Sequence, residues 1–204
     1  MNEANVIKYL KNKLLFDEKA IKKLKIFSIY LLKYNKKYNL ISKSTESSLW
    51  HRHILDSAQI INYLPKNELK IDDFGTGAGF PGIILSIFDQ KNKFHVKLYE
   101  KSTIKRRFLS KIRDELSLKF DLQKDVYSDT IKTDIIVTRA FKKLDKIIKI
   151  SREIVKKPHK LIILKGRNAQ TEINNVSLTD NYSYKLLDSI TDPNSKILIV
   201  DVNK

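Results

Sequence analysis

Apolar residues along this chain keep two different rhythms. Up to residue 64 they recur every three or four positions, the spacing of one helix face. The opening "MNEANVIKYLKNKLL" is an amphipathic helix pattern. Asp17 is placed to cap a long helix ending near Tyr38, with Ile26, Phe27, Tyr30, Leu31 and Tyr34 on its inner side. The Tyr30, Tyr34, Tyr38 stripe reads as packing rather than base stacking. "YNL" at 38–40 breaks that helix, and Asn39 reads as structural, orienting the next helix, with orientation of a substrate group as the alternative. Thr45 then caps a further helix carrying Leu49, Trp50, Ile54, Leu55, Ala58 and Ile61, which stops before Pro65.

From residue 70 the rhythm changes. Strand-like runs at 70–74, 94–100, 120–124, 134–140 and 159–166 alternate with helical runs at 81–88, 103–116 and 144–155. Such alternation predicts a parallel sheet with helices on both faces. Two more strand-like runs follow, at 182–190 and 196–202. The link between them, "TDPNS", is too short for a parallel crossover, so they form an antiparallel hairpin. The expected fold is α/β: a Rossmann-like class I methyltransferase arrangement. It has a mostly parallel seven-stranded sheet, a C-terminal antiparallel strand and an N-terminal helical extension.

Composition narrows the partners. The chain has 204 residues and no cysteine, which excludes a disulfide framework, thiolate metal sites and a cysteine nucleophile. No metal site is expected. No secretory core or membrane-length apolar run is visible, so the expected location is the cytoplasm. The formal net charge of +17 favours a polyanion such as nucleic acid. Lysine drift on a solvated face is the competing explanation, in a chain rich in Lys, Ile and Asn.

Four of the five glycines fall in "GTGAGFPG", residues 75–82. "GAGFPG" fits G-x-G-x-x-G, which alone suggests a dinucleotide. Pro81 removes one of the N–H donors that a pyrophosphate needs, and Asp73 stands where it repels phosphate. The register Asp73, Gly75, Gly77, Gly79 suits S-adenosylmethionine better. That molecule carries no phosphate, and its ammonium is matched by a carboxylate. Glu100, at the end of the next strand, is the acid expected to accept hydrogen bonds from ribose hydroxyls. Residues 65–204 are therefore the expected cofactor-binding domain and residues 1–64 its helical extension, in one compact unit.

The fourth strand ends in "TRAF" instead of the Asn/Asp-Pro-Pro-aromatic box of enzymes that methylate exocyclic amines. With no cysteine, C5-pyrimidine chemistry is also excluded. Both absences point to an acceptor with a free lone pair, of which guanine N7 is one. Such a reaction needs alignment and electrostatics but no general base. Arg139 is expected beside the cofactor or the guanine; its alternative is a salt-bridging residue at a strand end.

With these residues in place, the chain resembles the RsmG (GidB) family, bacterial methyltransferases that modify guanine N7 in 16S (small-subunit) ribosomal RNA. The likeness runs through "YNKKYNLIS", "HRHILDS", "DFGTGAGFPGI", "KRRFL", "TRAFKKL" and "LKG". It implies cofactor contacts at Gly75, Phe80 and Arg139 and at a pair near Val126 and Tyr127. The family commonly shows Lys-Arg-x-x-Phe-Leu, whose first two places fall here on Ile104 and Lys105, with Arg106 and Arg107 one step on. Lys105 and Arg106 are the expected basic contacts from that helix. Arg52 and His53 of "RHILDS" are expected to meet RNA, unless Arg52 pairs locally with Asp56 and His53 is a satisfied helix residue. Lys165 is a further candidate phosphate contact. The implied partner is ribosomal RNA or the small subunit, met by a monomer. An NAD-dependent oxidoreductase and a noncatalytic ribosome-binding protein are the alternatives.

Overall fold

The computed structural model describes residues 1–89, 93–127, 131–176 and 182–203. Helix α1 (Glu3–Leu14) is capped by Asn2, whose side chain accepts from Asn5 N at 3.0 Å. Helix α2 (Glu18–Tyr38) is capped by Asp17, which accepts from Ala20 N at 2.7 Å. Each cap satisfies a backbone donor that the helix cannot. Asn39 ends α2 in the left-handed region, φ 47°, which Asn tolerates better than most residues. The inner face of α2 is Leu24, Phe27, Leu31 and Asn35, whereas Ile26 is exposed. Tyr34 packs on Phe108 at 5.3 Å between ring centroids, in line with a packing role for the tyrosine stripe.

The expected cap at Thr45 is not observed. Lys43–Ser48 is a 3-10 helix that begins after Ser42, and Thr45 lies inside it with its hydroxyl donating to Ser42 O. The next stretch is also not a regular α-helix. It runs as a π-helical segment (Trp50–Leu55), the single turn α3 (Asp56–Ala58) and a 3-10 turn (Gln59–Tyr63). The Arg52 carbonyl accepts a hydrogen bond from the distant Arg139 at 3.0 Å. An outside donor inserted in this way opens the i→i−4 ladder.

The sheet contains β1 (Leu69–Phe74), β2 (Phe94–Tyr99), β3 (Phe120–Gln123), β4 (Ile135–Arg139), β5 (His159–Lys165), β6 (Tyr182–Asp188) and β7 (Lys196–Val202). Their order is β3-β2-β1-β4-β5-β7-β6. The first five are parallel, and β7 runs antiparallel to both β5 and β6. Strand order reverses beside β1, the position where open α/β sheets leave a crevice at their carboxyl ends. Because β7 is reversed, the β6–β7 turn lies at that same edge: Lys196 at the start of β7 pairs with Lys165 at the end of β5.

Helices α4 (Gly82–Phe88), α5 (Thr103–Glu115), α6 (Leu144–Ile154) and α7 (Ala169–Asn174) complete the layers. One buried cluster joins α1, α2, α4 and α5 to one face of the sheet, through Leu10, Phe27, Ile83, Phe108 and Ile71. A second joins α6 and α7 to the other face, through Ile147, Ile173, Phe74 and Ile136. Strand alternation divides β1 between them: Ile71 belongs to the first cluster and Phe74 to the second. No described helix is long and apolar enough to cross a membrane.

Candidate active site

The loop after β1 bends through three glycines at positive φ: Gly75 at 70°, Gly77 at 60° and Gly79 at 103°. At Gly75 a β-carbon would meet Phe141 Cδ2 at 2.4 Å, so only glycine lets the Phe141 ring press on the loop. The first two donors of α4 are already used. Pro81 has none, the Gly82 N–H goes to Asp73 Oδ2 at 2.8 Å, and the Ile83 N–H goes to Gly79 O at 2.8 Å. A pyrophosphate would find neither of these two N–H groups free, which argues against a dinucleotide.

Asp73 is fully buried beneath the loop and faces Gly82, not the open cleft. Burial pushes its carboxyl up to about 7, against the opposing pull of the Thr76 hydroxyl, the Gly82 amide and Arg139. Glu100 sits at the rim. It accepts from Gly77 N at 3.0 Å and from Ser102 N at 2.7 Å, so one carboxylate ties the glycine loop to the end of β2.

A cleft of about 610 Å³ opens over this edge. Gly75, Glu100, Val126 and Tyr127 line it, together with Asp125 and Phe141. Val126 is buried, and the exposed Tyr127 donates its hydroxyl to Glu153 at 3.3 Å. A second cavity of about 410 Å³ lies beyond Ala140 and Phe141, which line both. Arg139, Lys142, Lys143, Lys165 and Lys196 give it a cationic wall, with Asp56 and Glu172 as its acids. Ala140 holds φ 52° there, a left-handed backbone at the partition between the cavities.

Arg139 reaches from the end of β4 into the π-helical segment. Its guanidinium donates to Arg52 O at 3.0 Å and to His53 Nδ1 at 2.7 Å, and it meets Asp56 Oδ2 at 3.5 Å. It also lies 4.9 Å over the ring of the buried Phe80. His53 also packs against Phe80, 5.2 Å between ring centroids with the planes tilted by 37°. Its Nε2 pairs with Thr45 Oγ1 at 2.8 Å. Since Arg139 is donor only and the Thr45 hydroxyl is spent on Ser42 O, His53 carries its proton on Nε2. Burial, then the Arg139 and Arg52 charges, press His53 down to about 3, so it stays neutral.

The remaining expected cations are placed differently from one another. Arg106 donates to the Glu100 and Lys101 carbonyls at 2.8 and 2.7 Å, closing the end of β2. Lys165 is largely buried and pairs with Glu172 at 2.7 Å. Arg52 is exposed and pairs with Asp192 at 3.2 Å, not with Asp56. Lys105 is half-buried on α5. Among the described residues, no group of three or more His, Cys, Asp or Glu could hold a metal ion.

The model of the GidB family, rRNA small subunit methyltransferase G, matches residues 20–192. The chain belongs to this family. Among relatives of the same description, one from Orientia tsutsugamushi (strain Ikeda) is 36% identical over 88% of this chain and 89% of its own length. One from Rickettsia prowazekii (strain Madrid E) is 35% identical over 89% of this chain and 93% of its own. Solved structures show the same fold at much lower identity. A SAM dependent methyltransferase from Aquifex aeolicus gives a TM-score of 0.59 at 13% identity, covering 87% of this chain and 98% of that one. A ribosomal protein L11 methylase from Lactobacillus delbrueckii subsp. bulgaricus gives 0.59 at 15%, covering 73% and 77%.

In this GidB-family chain the network around Arg139 extends beyond the motifs. Asp56 Oδ1 accepts from Thr191 at 2.7 Å and from Gln59 at 2.9 Å, and Gln59 also holds Ser189 and the Ile190 N–H. Sequence reasoning missed Asp125, Phe141, Gln59 and Thr191 as parts of the site. Asp125 had a signal, as the acid preceding the Val126–Tyr127 pair. Thr191 had none, lying 135 residues from its partner.

Proposed function

We propose that the protein transfers a methyl group from S-adenosylmethionine to N7 of a guanine in small-subunit ribosomal RNA. The observation that carries this is the meeting of two cavities across Ala140 and Phe141 at the carboxyl edge of the sheet. One has the lining a nucleoside needs, and the other is cationic.

The residues present fit the cofactor. Glu100 keeps lone pairs after accepting two backbone N–H groups, and these suit ribose hydroxyls. Val126 offers an apolar wall, and Gly75 and Phe141 close the side toward the second cavity. The spent donors at α4 suit a ligand without phosphate. When bound, S-adenosylmethionine supplies a methyl group on a sulfonium, open to a lone pair. The protein's part is orientation and exclusion of water. Arg139, fixed by His53 and Asp56, presents its positive charge at the second cavity, where the base is to be held. N7 carries no proton, which agrees with a neutral His53 whose two nitrogens are both engaged.

In this reading residues 1–64 form the helical extension that backs Arg139, residues 65–204 hold the cofactor, and the protein acts as a cytoplasmic monomer. Asp73, Gly77, Gly79 and Phe80 shape and support the loop, while Gly75, Glu100, Val126, Tyr127 and Arg139 face the ligands. The test is incubation with labelled S-adenosylmethionine and small subunits from a strain lacking the family's enzyme. The label should enter one guanine, located by borohydride and aniline cleavage of the RNA. No incorporation into subunits or naked 16S RNA would reject the proposal.

A further inference from the structure

The cofactor cleft is ringed by cations that a cationic ligand does not need. Lys101, Lys124, Lys142, Lys146 and Lys149 all line it, and all are exposed. S-Adenosylmethionine has no phosphate; its single carboxylate can engage one lysine, and its sulfonium and ammonium are repelled by the others. Lys101 is matched by Asp125 at 2.9 Å, and Lys149 lies 3.9 Å from Glu153. Lys124 and Lys146 make no ion pair among the described residues. Lys142 Nζ rests 5.4 Å from the centre of the Phe141 ring.

Local rules are also broken here. The N-cap of α6 is Lys143, with no side-chain cap bond, where Ser, Thr, Asp or Asn is favoured. Lys142, Lys143 and Lys146 crowd the helix end whose dipole is positive, with Asp145 as the acid of the first turn. A helix start built against its own stability marks a place where another demand prevails. Arg106, Lys165 and His53, by contrast, are committed to partners within the protein.

We infer that Lys124, Lys142, Lys146 and Lys149 carry the phosphates of the substrate RNA across the mouth of the cofactor cleft, so that the cofactor enters before the RNA and leaves after it. This rests on the methyltransferase reading of the cleft. Lys146 and Lys149 share one face of α6. Lys142 extends the row and lines both cavities. A strand following the row therefore arrives at the second cavity, where a base is to be inserted. The same strand roofs the cleft and traps what is inside.

The experiment compares the wild type with a triple variant, Lys142→Gln, Lys146→Gln and Lys149→Gln. A control triple, Lys8→Gln, Lys22→Gln and Lys25→Gln, neutralises exposed lysines on α1 and α2. Binding to small ribosomal subunits is measured against salt. The slope should fall by ~0.7 for each single-strand phosphate no longer neutralised, in the first triple and not in the control. S-Adenosylhomocysteine affinity without RNA should not fall in either triple. Release of labelled S-adenosylhomocysteine should be several-fold slower when subunits are present, and this slowing should vanish in the first triple. Equal slopes for the two triples, or release unaffected by subunits, would overturn the inference. No S-adenosylhomocysteine binding by the wild type would instead reject the cofactor reading on which it rests.

Discussion

Asp73 and His53 are both buried, and they bias stability in opposite directions as pH changes. Asp73 goes from a reference of 3.8 to about 7 on folding. Between those values the unfolded chain is ionised and the folded one holds a proton, so stability falls as pH rises through the window. His53 goes from 6.5 to about 3. There the unfolded chain holds the proton, so its contribution is complete above 6.5 and is lost as pH falls toward 3. The two slopes oppose each other over most of this range. Thermal melts of Asp73→Asn should therefore show Tm climbing with pH where the wild type is flatter, and His53→Gln should show the reverse. Parallel profiles in all three proteins would refute this. The glycines separate by contact. Gly75→Ala should lower Tm, because its β-carbon collides with Phe141. At Gly77 the nearest atom to a β-carbon is 3.9 Å away and the backbone is left-handed at φ 60°, a conformation Asp tolerates better than most residues, so Gly77→Asp should fold with a lowered Tm yet lose S-adenosylhomocysteine affinity in calorimetry, as its carboxylate stands beside the Glu100 rim. Unchanged affinity would show that the loop does not touch the ligand.

The β6–β7 turn acts as a brace. It comes to the ligand edge because β7 is reversed, and there Ser189, Ile190 and Thr191 grip Gln59 and Asp56. Asp56 in turn holds Arg139. Gln59→Ala would leave buried donors and acceptors unmatched, at a cost of about 1–3 kcal/mol. The urea midpoint should drop with little change in slope. Methyl transfer should fall more than the loss of folded protein explains, because Arg139 loses its support. Activity that tracks the folded fraction alone would mean the turn braces the fold but not the site.

Seen as one body, the helical extension is part of the core. Val6, Leu10, Leu14 and Phe16 are all nearly inaccessible, and Phe16 packs on Phe88 of α4 at 5.0 Å. At about 1.5–3 kcal/mol for each buried side chain, removing them approaches the stability of a whole domain. Deleting residues 1–16 should therefore abolish the cooperative melt followed by circular dichroism. A truncated chain that still melts cooperatively would make the extension a separate unit.

Much of this architecture was legible in the chain. The alternation of β- and α-type runs after residue 70 marked all seven strands, because each run is long enough to bury a face in its own period. The short "TDPNS" link required the antiparallel hairpin. The clustered glycines marked the loop, since a left-handed backbone restricts residue choice locally. The stretch after Ser42 was not legible as it folds, because its π-helical turn is tied to Arg139, a residue far along the chain. Nor did residue type reveal which cations are free. Lys165 and Lys146 are alike in sequence, yet one is largely buried against Glu172 and the other stands exposed at the cleft. Local pattern specifies an element through its own periodicity and caps. Pairing of side chains across the fold depends on distances that exist only once the sheet has brought its edges together.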